Sequence, residues 1–408
     1  MLNLVKKINN RLKLKRRAIT GLASVHAFGH PSKHMKVVGV TGTNGKTTVS
    51  TLLYKVAREL GYNAGLIGTV EVLINDKPYE FEHKIPTTPD PLTLNQILKA
   101  MKKAKVEYVF MEVSSHAMDQ ARVAGINFVG GIFTNLTHDH LDYHKSIENY
   151  FGAKKKFFKM LLHDAFALAN IDDAYGERML ENIRAKKYTY GFSHKSDFGE
   201  RLETKLLGEF NAYNALAVFG ACKLLGFDEV KVKEILKNIT PPAGRFESFK
   251  SDSGILCIVD YAHTPDALEN VLKTARGILN SAKEGLPQKT EAKLISVFGC
   301  GGDRDPMKRK VMGKIGAELS DIAIFTSDNP RSENPESVIE QMKPDLNADE
   351  LAKIKTIPDR HEAIMEAVNL AQTGDIVLVA GKGHETYQEI KGVKHHFNDM
   401  EELKKLFK

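Results

Sequence analysis

Cysteine is scarce in this chain of 408 residues: Cys222, Cys257 and Cys300 are the only three, far apart and with no Cys-x-x-Cys pair. Such spacing argues against a disulfide framework or a thiolate zinc site and leaves them as small core residues. Long apolar runs are missing too; none approaches the roughly 20 residues that a membrane-spanning helix needs. The N-terminus has no apolar core of the secretory kind, so a cytoplasmic protein is expected. No internal repeat or low-complexity tract is present. Acid is absent from residues 1–20, which hold Lys6, Lys7, Arg11, Lys13, Lys15, Arg16 and Arg17. Those cations equal the net charge of +7, so the rest of the chain is neutral overall. Nucleic-acid binding is therefore not expected: the positive charge sits at one end and no recognition motif accompanies it.

Two readings of that basic end stand. Leu4, Ile8 and Leu12 recur at helical spacing among the cations. A basic amphipathic helix of this kind suits a weak contact with an anionic membrane surface. A solvated helix packed on the body by its apolar stripe fits equally, and a single short basic helix favours that plainer reading. His26, His30 and His34 fall four apart, as metal ligands on a helix might, but Pro31 interrupts the helix and Gly29 weakens it. No metal site is expected there.

What is present is a globular composition, 42% hydrophobic and 27% charged, in a length that suits two or three domains. Short β-rich apolar runs near 36–41, 106–113, 127–134, 255–261, 294–299, 321–327 and 375–380 alternate with helical patterns. The helices are expected near 47–60, 92–104, 147–161, 265–279, 308–320 and 359–371, with a further helical stretch from about 209 to 238. Alternation of this kind predicts an α/β protein with mostly parallel sheets. Thr240-Pro241-Pro242-Ala243-Gly244 marks a boundary. The expected organisation is a basic segment 1–35, a central domain 36–243 and a Rossmann-like α/β domain 244–408. Residues 281–292 read as an exposed loop.

The most informative stretch is Val37-Val38-Gly39-Val40-Thr41-Gly42-Thr43-Asn44-Gly45-Lys46-Thr47-Thr48. A strand turns through glycines into Lys-Thr-Thr and a helix, the layout of a phosphate cradle. Gly42 and Gly45 leave backbone N–H groups open to a polyphosphate, and the helix offers its positive end. Lys46 adds a point charge, and the Thr47 hydroxyl is the usual magnesium ligand. The general pattern wants glycine where this chain has Val40, so the match is to a variant loop, T-G-T-N-G-K-T.

Glu112 ends a strand after apolar Val109, Phe110 and Met111, where such a protein needs an acidic metal ligand. The segment Thr134-Asn135-Leu136-Thr137-His138-Asp139-His140-Leu141-Asp142-Tyr143-His144 packs three histidines and two aspartates into eleven residues. Singly, each histidine is more often structural; together they mark a site.

With these stand M-E-V-S-S-H, Y-F-G-A-K, G-R-F-E, V-D-Y-A-H-T-P-D, F-G-C-G-G-D-R-D, S-D-N-P-R and A-G-K-G-H-E, in that order along the chain. Together they resemble the Mur ligases over about residues 36–400. The resemblance implies ADP-forming amide synthesis through an acyl phosphate, with ATP and two magnesium ions as cofactors. The implied reaction adds meso-diaminopimelate to the D-glutamate of UDP-N-acetylmuramoyl-L-alanyl-D-glutamate during peptidoglycan biosynthesis, in a monomeric enzyme. Alternatives are a lysine-adding ligase, another Mur-type ligase, or a folylpolyglutamate-type ligase.

The resemblance also implies residues. Lys46, Glu112, His140, Lys154 and Arg245 are the catalytic set, and Thr47, Glu112, His140 and Lys154 face the metals, Lys154 as a carbamate. The register of Y-F-G-A-K selects Lys154, whereas Lys155, Lys156 and Lys159 read as a solvated basic face. Nucleotide contacts fall on Gly42, Thr43, Asn44, Gly45, Lys46, Thr47, Thr48, Asn211, Asn214, Asp260, Tyr261 and His263. On their own, Asp260 reads as a strand-end cap and Asn211 as a helix N-cap. Arg245 would reach the γ-phosphate on domain closure. Thr87, Thr88, Ser114, Gln120 and Arg122 suit a polyanionic acceptor. Arg304, Asp328, Asn329, Arg331, Gly381 and Glu385 form the amino-acid set. Arg331 suits the distal carboxylate that diaminopimelate has and lysine lacks, and Glu385 suits the distal ammonium. Alternatively, Arg331 pairs with Glu333 or Glu336 at the surface.

The family opens with a domain that holds the uridine diphosphate. Only some 35 residues precede the P-loop here, short of the roughly 50 an independent domain takes. Three expectations remain open: contacts elsewhere grip the acceptor, a partner supplies the site, or the acceptor is not a UDP-sugar. The basic segment itself is a candidate for the diphosphate.

Overall fold

A computed structural model of the chain describes residues 19–81, 86–283 and 292–407. The cationic run Lys6 to Arg17 lies outside the described residues, as does 284–291 of the expected loop. The chain divides into two compact units, one running to Leu206 and taking in Phe210–Thr240, the other made of Leu207–Glu209 and Pro241 onward.

The first unit is built on β1 (Lys36–Thr41), β2 (Ala64–Ile67), β3 (Val72–Ile74), β4 (Lys77–Pro78), β5 (Tyr108–Glu112), β6 (Phe128–Phe133), β7 (Phe166–Asn170) and β8 (Lys186–Tyr190). Their order in the sheet is β4-β3-β2-β5-β1-β6-β7-β8. Six of them run parallel, and β3 and β4 add an antiparallel edge. Parallel strands are covered on both faces, which is why β1 and β5 read as continuous apolar runs and bury Val37, Val38, Val40, Val109, Phe110 and Met111. Because β1 lies between β5 and β6, the carboxyl ends of all three meet at one edge, where doubly wound sheets gather ligands. The helix Lys46–Glu59 leaves β1 and buries Val49, Leu52, Leu53 and Val56, the spacing of one helical face.

The second unit holds β9 (Glu247–Lys250), β10 (Leu256–Asp260), β11 (Leu294–Phe298), β12 (Ile322–Phe325), β13 (Ile354–Thr356) and β14 (Ile376–Ala380). Their order is β13-β12-β11-β14-β10-β9, parallel apart from β9. A hairpin of β15 (Tyr387–Ile390) and β16 (Val393–His396) follows, then a terminal helix, Asp399–Leu406.

Three expectations need correction. The helical stretch 209–238 is two helices, Glu209–Leu224 and Glu229–Asn238. Gly226 turns left-handed at φ 83°, and the Asp228 side chain caps the second helix by accepting from the Lys231 amide. The loop expected from 281 begins later, because the helix from Pro265 continues to Lys283. Lys155 is buried rather than solvated, since its ammonium caps the carbonyls of Arg178, Met179 and Glu181. The three cysteines are buried, as core residues should be. Among the described residues, no helix is long and apolar enough to cross a membrane.

Candidate functional site

The loop between β1 and its helix is held open from beneath. Gly45 sits at φ 83° as the residue before the helix, and a Cβ there would stand 2.6 Å from Asn214 Oδ1. At Gly42 a Cβ would strike the Thr134 hydroxyl. The segment after β6 pins the loop: Asn44 N donates to Asn135 Oδ1 at 2.8 Å, and Thr134 Oγ1 donates to the Asn44 carbonyl at 2.6 Å. Thr43 Oγ1 shares a hydrogen bond with the Tyr150 hydroxyl at 3.2 Å and accepts from Thr137 N at 3.0 Å. Lys46 Nζ curls over the loop to Gly42 O at 3.0 Å and Thr43 O at 2.6 Å. Thr47 and Thr48 are buried in the first helical turn.

Thr47 Oγ1 donates to Glu112 Oε1 at 3.0 Å, which brings the P-loop helix and the end of β5 to one point. Glu112 is 1% exposed. A hydroxyl and a carboxylate are hard oxygen donors, the kind magnesium takes alongside phosphate oxygens and water, so these residues fit that ion. Among the described residues, no three His, Cys, Asp or Glu side chains converge as a metal-holding group. Around Glu112 lie the residues expected from sequence to meet the acceptor. Thr88 Oγ1 donates to the Glu112 carbonyl at 2.9 Å and receives Ser114 N at 3.0 Å. Arg122 donates to Thr88 O at 2.8 Å and through Nε and Nη2 to Gln120 Oε1. Thr88, Ser114, Gln120 and Arg122 thus form one hydrogen-bonded group, and Thr87 reaches Glu112 through Thr69.

His140 adopts the left-handed conformation at φ 53°, and its ring meets that of His116 edge to face at 4.9 Å. Burial, with Lys46, Lys154 and His116 nearby, pushes its pKa below the ordinary imidazole range despite Asp139. His144 is held by Ser115 Oγ at 3.0 Å and packs on Tyr150. Lys154, inside the helix Ile147–Met160, is 1% exposed. Its Nζ donates to Gly42 O at 2.5 Å and lies 4.3 Å from the Tyr150 ring centre. Burial above all, and then Lys46, hold its pKa well below the ordinary lysine value. Asn211 lies inside its helix rather than capping it, buried, and accepts from Asn214 Nδ2 at 3.1 Å.

In the second unit, Asp260 ends β10, and its Oδ2 receives Phe246 N at 2.7 Å. Burial pushes its pKa up to about 6, against the pull of Arg245. The Arg245 guanidinium stacks 4.7 Å from the Tyr261 ring centre, and Tyr261 also packs on His263 and His384. These four predicted nucleotide contacts are neighbours.

Asp328, Asn329 and Arg331 follow β12. Asn329 Nδ2 donates to Glu385 Oε2 at 2.9 Å and to Asp328 Oδ1 at 3.1 Å. Gly381 at φ 116° lets β14 pass Asp328, since a Cβ there would stand 2.6 Å from Asp328 Oδ2. Arg331 Nη1 donates to Gly302 O at 2.7 Å, and Nε lies 3.6 Å from Glu389 Oε2. The surface pairing considered for Arg331 is thus not the one present: Glu333 is taken by Arg309, at 2.8 Å. Arg304 is exposed beside Gly301.

Four residues at this site were not read from sequence. Thr69 donates through its amide to Glu112 Oε1 at 2.7 Å, and its hydroxyl lies 3.1 Å from Glu112 Oε2 and 3.0 Å from Thr87 Oγ1. Lys382, wholly buried, lies 3.2 Å from both Asn329 Oδ1 and Glu385 Oε2. Arg360 and Asp399 form a buried ion pair at 2.7 Å. The lysine stands inside the A-G-K-G-H-E run, where sequence offered a signal; the other three sit in no motif.

Comparison with known proteins places this geometry. Residues 40–222 match the Mur ligase middle domain, and 244–383 match the Mur ligase, glutamate ligase domain. A curated UDP-N-acetylmuramoyl-L-alanyl-D-glutamate--2,6-diaminopimelate ligase of Bacteroides thetaiotaomicron is 51% identical over 93% of this chain and 80% of its own length. One of the same name from Geobacillus kaustophilus is 42% identical over 94% of this chain and 81% of its own. A solved structure of a ligase of that name aligns with a TM-score of 0.62 at 33% identity, covering 91% of this chain and 78% of the other. A Mycobacterium tuberculosis folylpolyglutamate synthase aligns at 0.66 with 17% identity over 93% and 95%, a likeness of fold alone. With both domain matches and relatives of this identity along nearly its full length, the chain belongs to the Mur ligase family.

Proposed function

We propose that this protein is an ATP-dependent, ADP-forming ligase that adds meso-diaminopimelate to the D-glutamate of UDP-N-acetylmuramoyl-L-alanyl-D-glutamate in peptidoglycan synthesis. The observation that carries the reading is the 40–51% identity to ligases of that name over most of the chain. A carboxylate is a poor electrophile. Its oxygen takes the γ-phosphoryl group and releases ADP; the amine then attacks the acyl phosphate, and phosphate leaves as the amide forms.

Each predicted residue has a task in that sequence. The loop amides and Lys46 hold the β and γ phosphates, where charge develops in transfer. Thr47 and Glu112 would hold magnesium, which would supply charge neutralisation to phosphate and carboxylate when bound. Lys154 is carbamoylated in this reading, with His140 near the same charge. A carbamate forms from a neutral amine and carbon dioxide, and burial favours that neutral amine. Thr87, Thr88, Ser114, Gln120 and Arg122 orient the acceptor. Asn211, Asn214, Arg245, Asp260, Tyr261 and His263 contact the nucleotide. Arg304, Asp328, Asn329, Arg331, Gly381 and Glu385 recognise the amino acid, and the Arg331 fork suits its distal carboxylate.

The test is phosphate release from ATP and magnesium with the UDP-muramoyl dipeptide, comparing meso-diaminopimelate with L-lysine. Release with diaminopimelate and not lysine supports the reading. Turnover with lysine alone overturns the specificity, and release with neither overturns the reaction.

A further inference from the structure

The second unit contains an ion pair whose stabilising value is doubtful and whose position is not. Arg360 begins the helix Arg360–Leu370, and Asp399 begins the terminal helix Asp399–Leu406. Both side chains are fully buried. Arg360 Nε donates to Asp399 Oδ1 at 2.7 Å and Nη2 to Asp399 Oδ2 at 2.7 Å, a two-pronged pair. The same guanidinium donates from Nη2 to Ala380 O at 3.0 Å and from Nη1 to Ser327 O at 3.4 Å.

Those carbonyls are where the two recognition loops begin. Ala380 is the last residue of β14 and precedes Gly381-Lys382-Gly383-His384-Glu385; Ser327 precedes Asp328-Asn329-Pro330-Arg331. β12 and β14 are not neighbours in the sheet, since β11 lies between them. One planar, rigid group therefore ties together the starts of two loops whose strands are linked only through a third strand, while farther along the loops meet through Asn329–Glu385 and Lys382–Asn329. Burial works to lower the Arg360 pKa, but Asp399 foremost, and then the field of Asp328 and Glu385, raise it above its ordinary value.

Replacing a buried ion pair by apolar residues of like volume is often neutral for stability, so stability alone does not account for one here. We propose that Arg360 and Asp399 are positioning residues for amino-acid recognition, fixing the Asp328–Arg331 and Gly381–Glu385 loops in mutual register. The inference rests on the proposed amino-acid site. Its distinguishing feature is that neither side chain needs to touch the substrate.

The test uses the full-length enzyme with the paired substitution Arg360→Met and Asp399→Leu, alongside Arg360→Lys, which keeps the charge and loses the fork. The expected result is a KM for meso-diaminopimelate raised at least about tenfold with the KM for ATP unchanged, because small misplacements of binding groups are costly. Arg331→Leu serves as the reference. If Arg331→Leu raises the diaminopimelate KM and the paired variant folds with an unchanged KM, the positioning role is wrong and the site reading stands. If Arg331→Leu leaves that KM unchanged, the site reading itself fails. If the paired variant and Arg360→Lys both fail to fold, the pair is a structural element and the inference is overturned.

Discussion

Lys46 and Lys154 donate to the same acceptor, the carbonyl of Gly42, at 3.0 and 2.5 Å. Two ammonium groups at one carbonyl repel, and the fully buried one yields its proton first. A neutral Lys154 is a nucleophile toward carbon dioxide, and its carbamate would turn the repulsion into attraction. Enzyme freed of carbon dioxide is expected to lose activity and regain it with bicarbonate. Labelled bicarbonate should give a carbamate carbon signal that Lys154→Ala lacks. Lys154→Ala should fall roughly a hundredfold or more in kcat, and Lys154→Glu, which keeps a carboxylate, should recover part of it. Full activity in Lys154→Ala removes the carbamate from the mechanism.

Glu112 is oriented by Thr69 as well as Thr47. A carboxylate only accepts, so the Thr69 hydroxyl gives its proton to Glu112 Oε2 and takes one from Thr87, 3.0 Å away. The relay joins the carboxylate proposed to face magnesium to the residues proposed to orient the acceptor. Thr69→Val keeps the shape and the hydrogen bond from the backbone N–H to Glu112 Oε1 but removes the relay. A hydrogen bond to a charged group contributes about 1.5–3 kcal/mol, so kcat should fall about tenfold and the magnesium needed for half-activity should rise. Thr69→Ser should restore both, and a magnesium titration identical to the unaltered enzyme would dispose of the relay.

Asp260 makes stability depend on pH. Its folded pKa, about 6, lies above the reference value of 3.8 because burial disfavours the charge. A carboxyl raised in this way contributes stability that is complete below about pH 4 and is lost as pH rises through about 6. Asp260→Asn keeps an acceptor for Phe246 N and abolishes the ionisation. It should match the unaltered protein near pH 4 and exceed it near pH 7 by up to about 3 kcal/mol, read from urea unfolding. A constant difference across that range contradicts the assignment.

Sequence disclosed most of the strands that are buried on both faces, though not β2, whose Ala-Gly-Leu-Ile is only four residues long. The runs behind β1, β5, β6, β10, β11, β12 and β14 are predominantly apolar, with the buried Ser296 in β11 as an exception, because helices cover both sides of the sheet. β7 escaped notice because Phe-Ala-Leu-Ala-Asn is rich in alanine, and β8 because Lys-Lys-Tyr-Thr-Tyr is polar and half-exposed. The edges β3, β4, β9 and β13 are too short to carry a period. At the site, loops with glycine and a charged residue at fixed spacing were legible; Thr69, Arg360 and Asp399 were not. A lone threonine or arginine carries no pattern, and its meaning comes from a partner 39 or 43 residues away in the chain.

Arg331 carries the sharpest prediction about substrate choice. It sits at φ 52°, and the hairpin holds it there: Arg331 N donates to Glu389 O at 3.0 Å and Lys391 N donates to Arg331 O at 2.7 Å. With Nε facing Glu389 and Nη1 on Gly302, the guanidinium is fixed in plane before a ligand arrives, so little rotamer entropy is lost on binding. Arg331→Lys keeps the charge and loses the fork. It should raise the KM for meso-diaminopimelate by roughly ten- to a hundredfold while leaving ATP affinity alone. Glu389→Gln should act in the same direction and less strongly, because it loosens the guanidinium without removing it. The discrimination against L-lysine, measured as a ratio of kcat/KM values, should shrink in both variants, since only diaminopimelate has a distal carboxylate for the fork to hold. A ratio that stays fixed in Arg331→Lys would mean the distal carboxylate is recognised elsewhere.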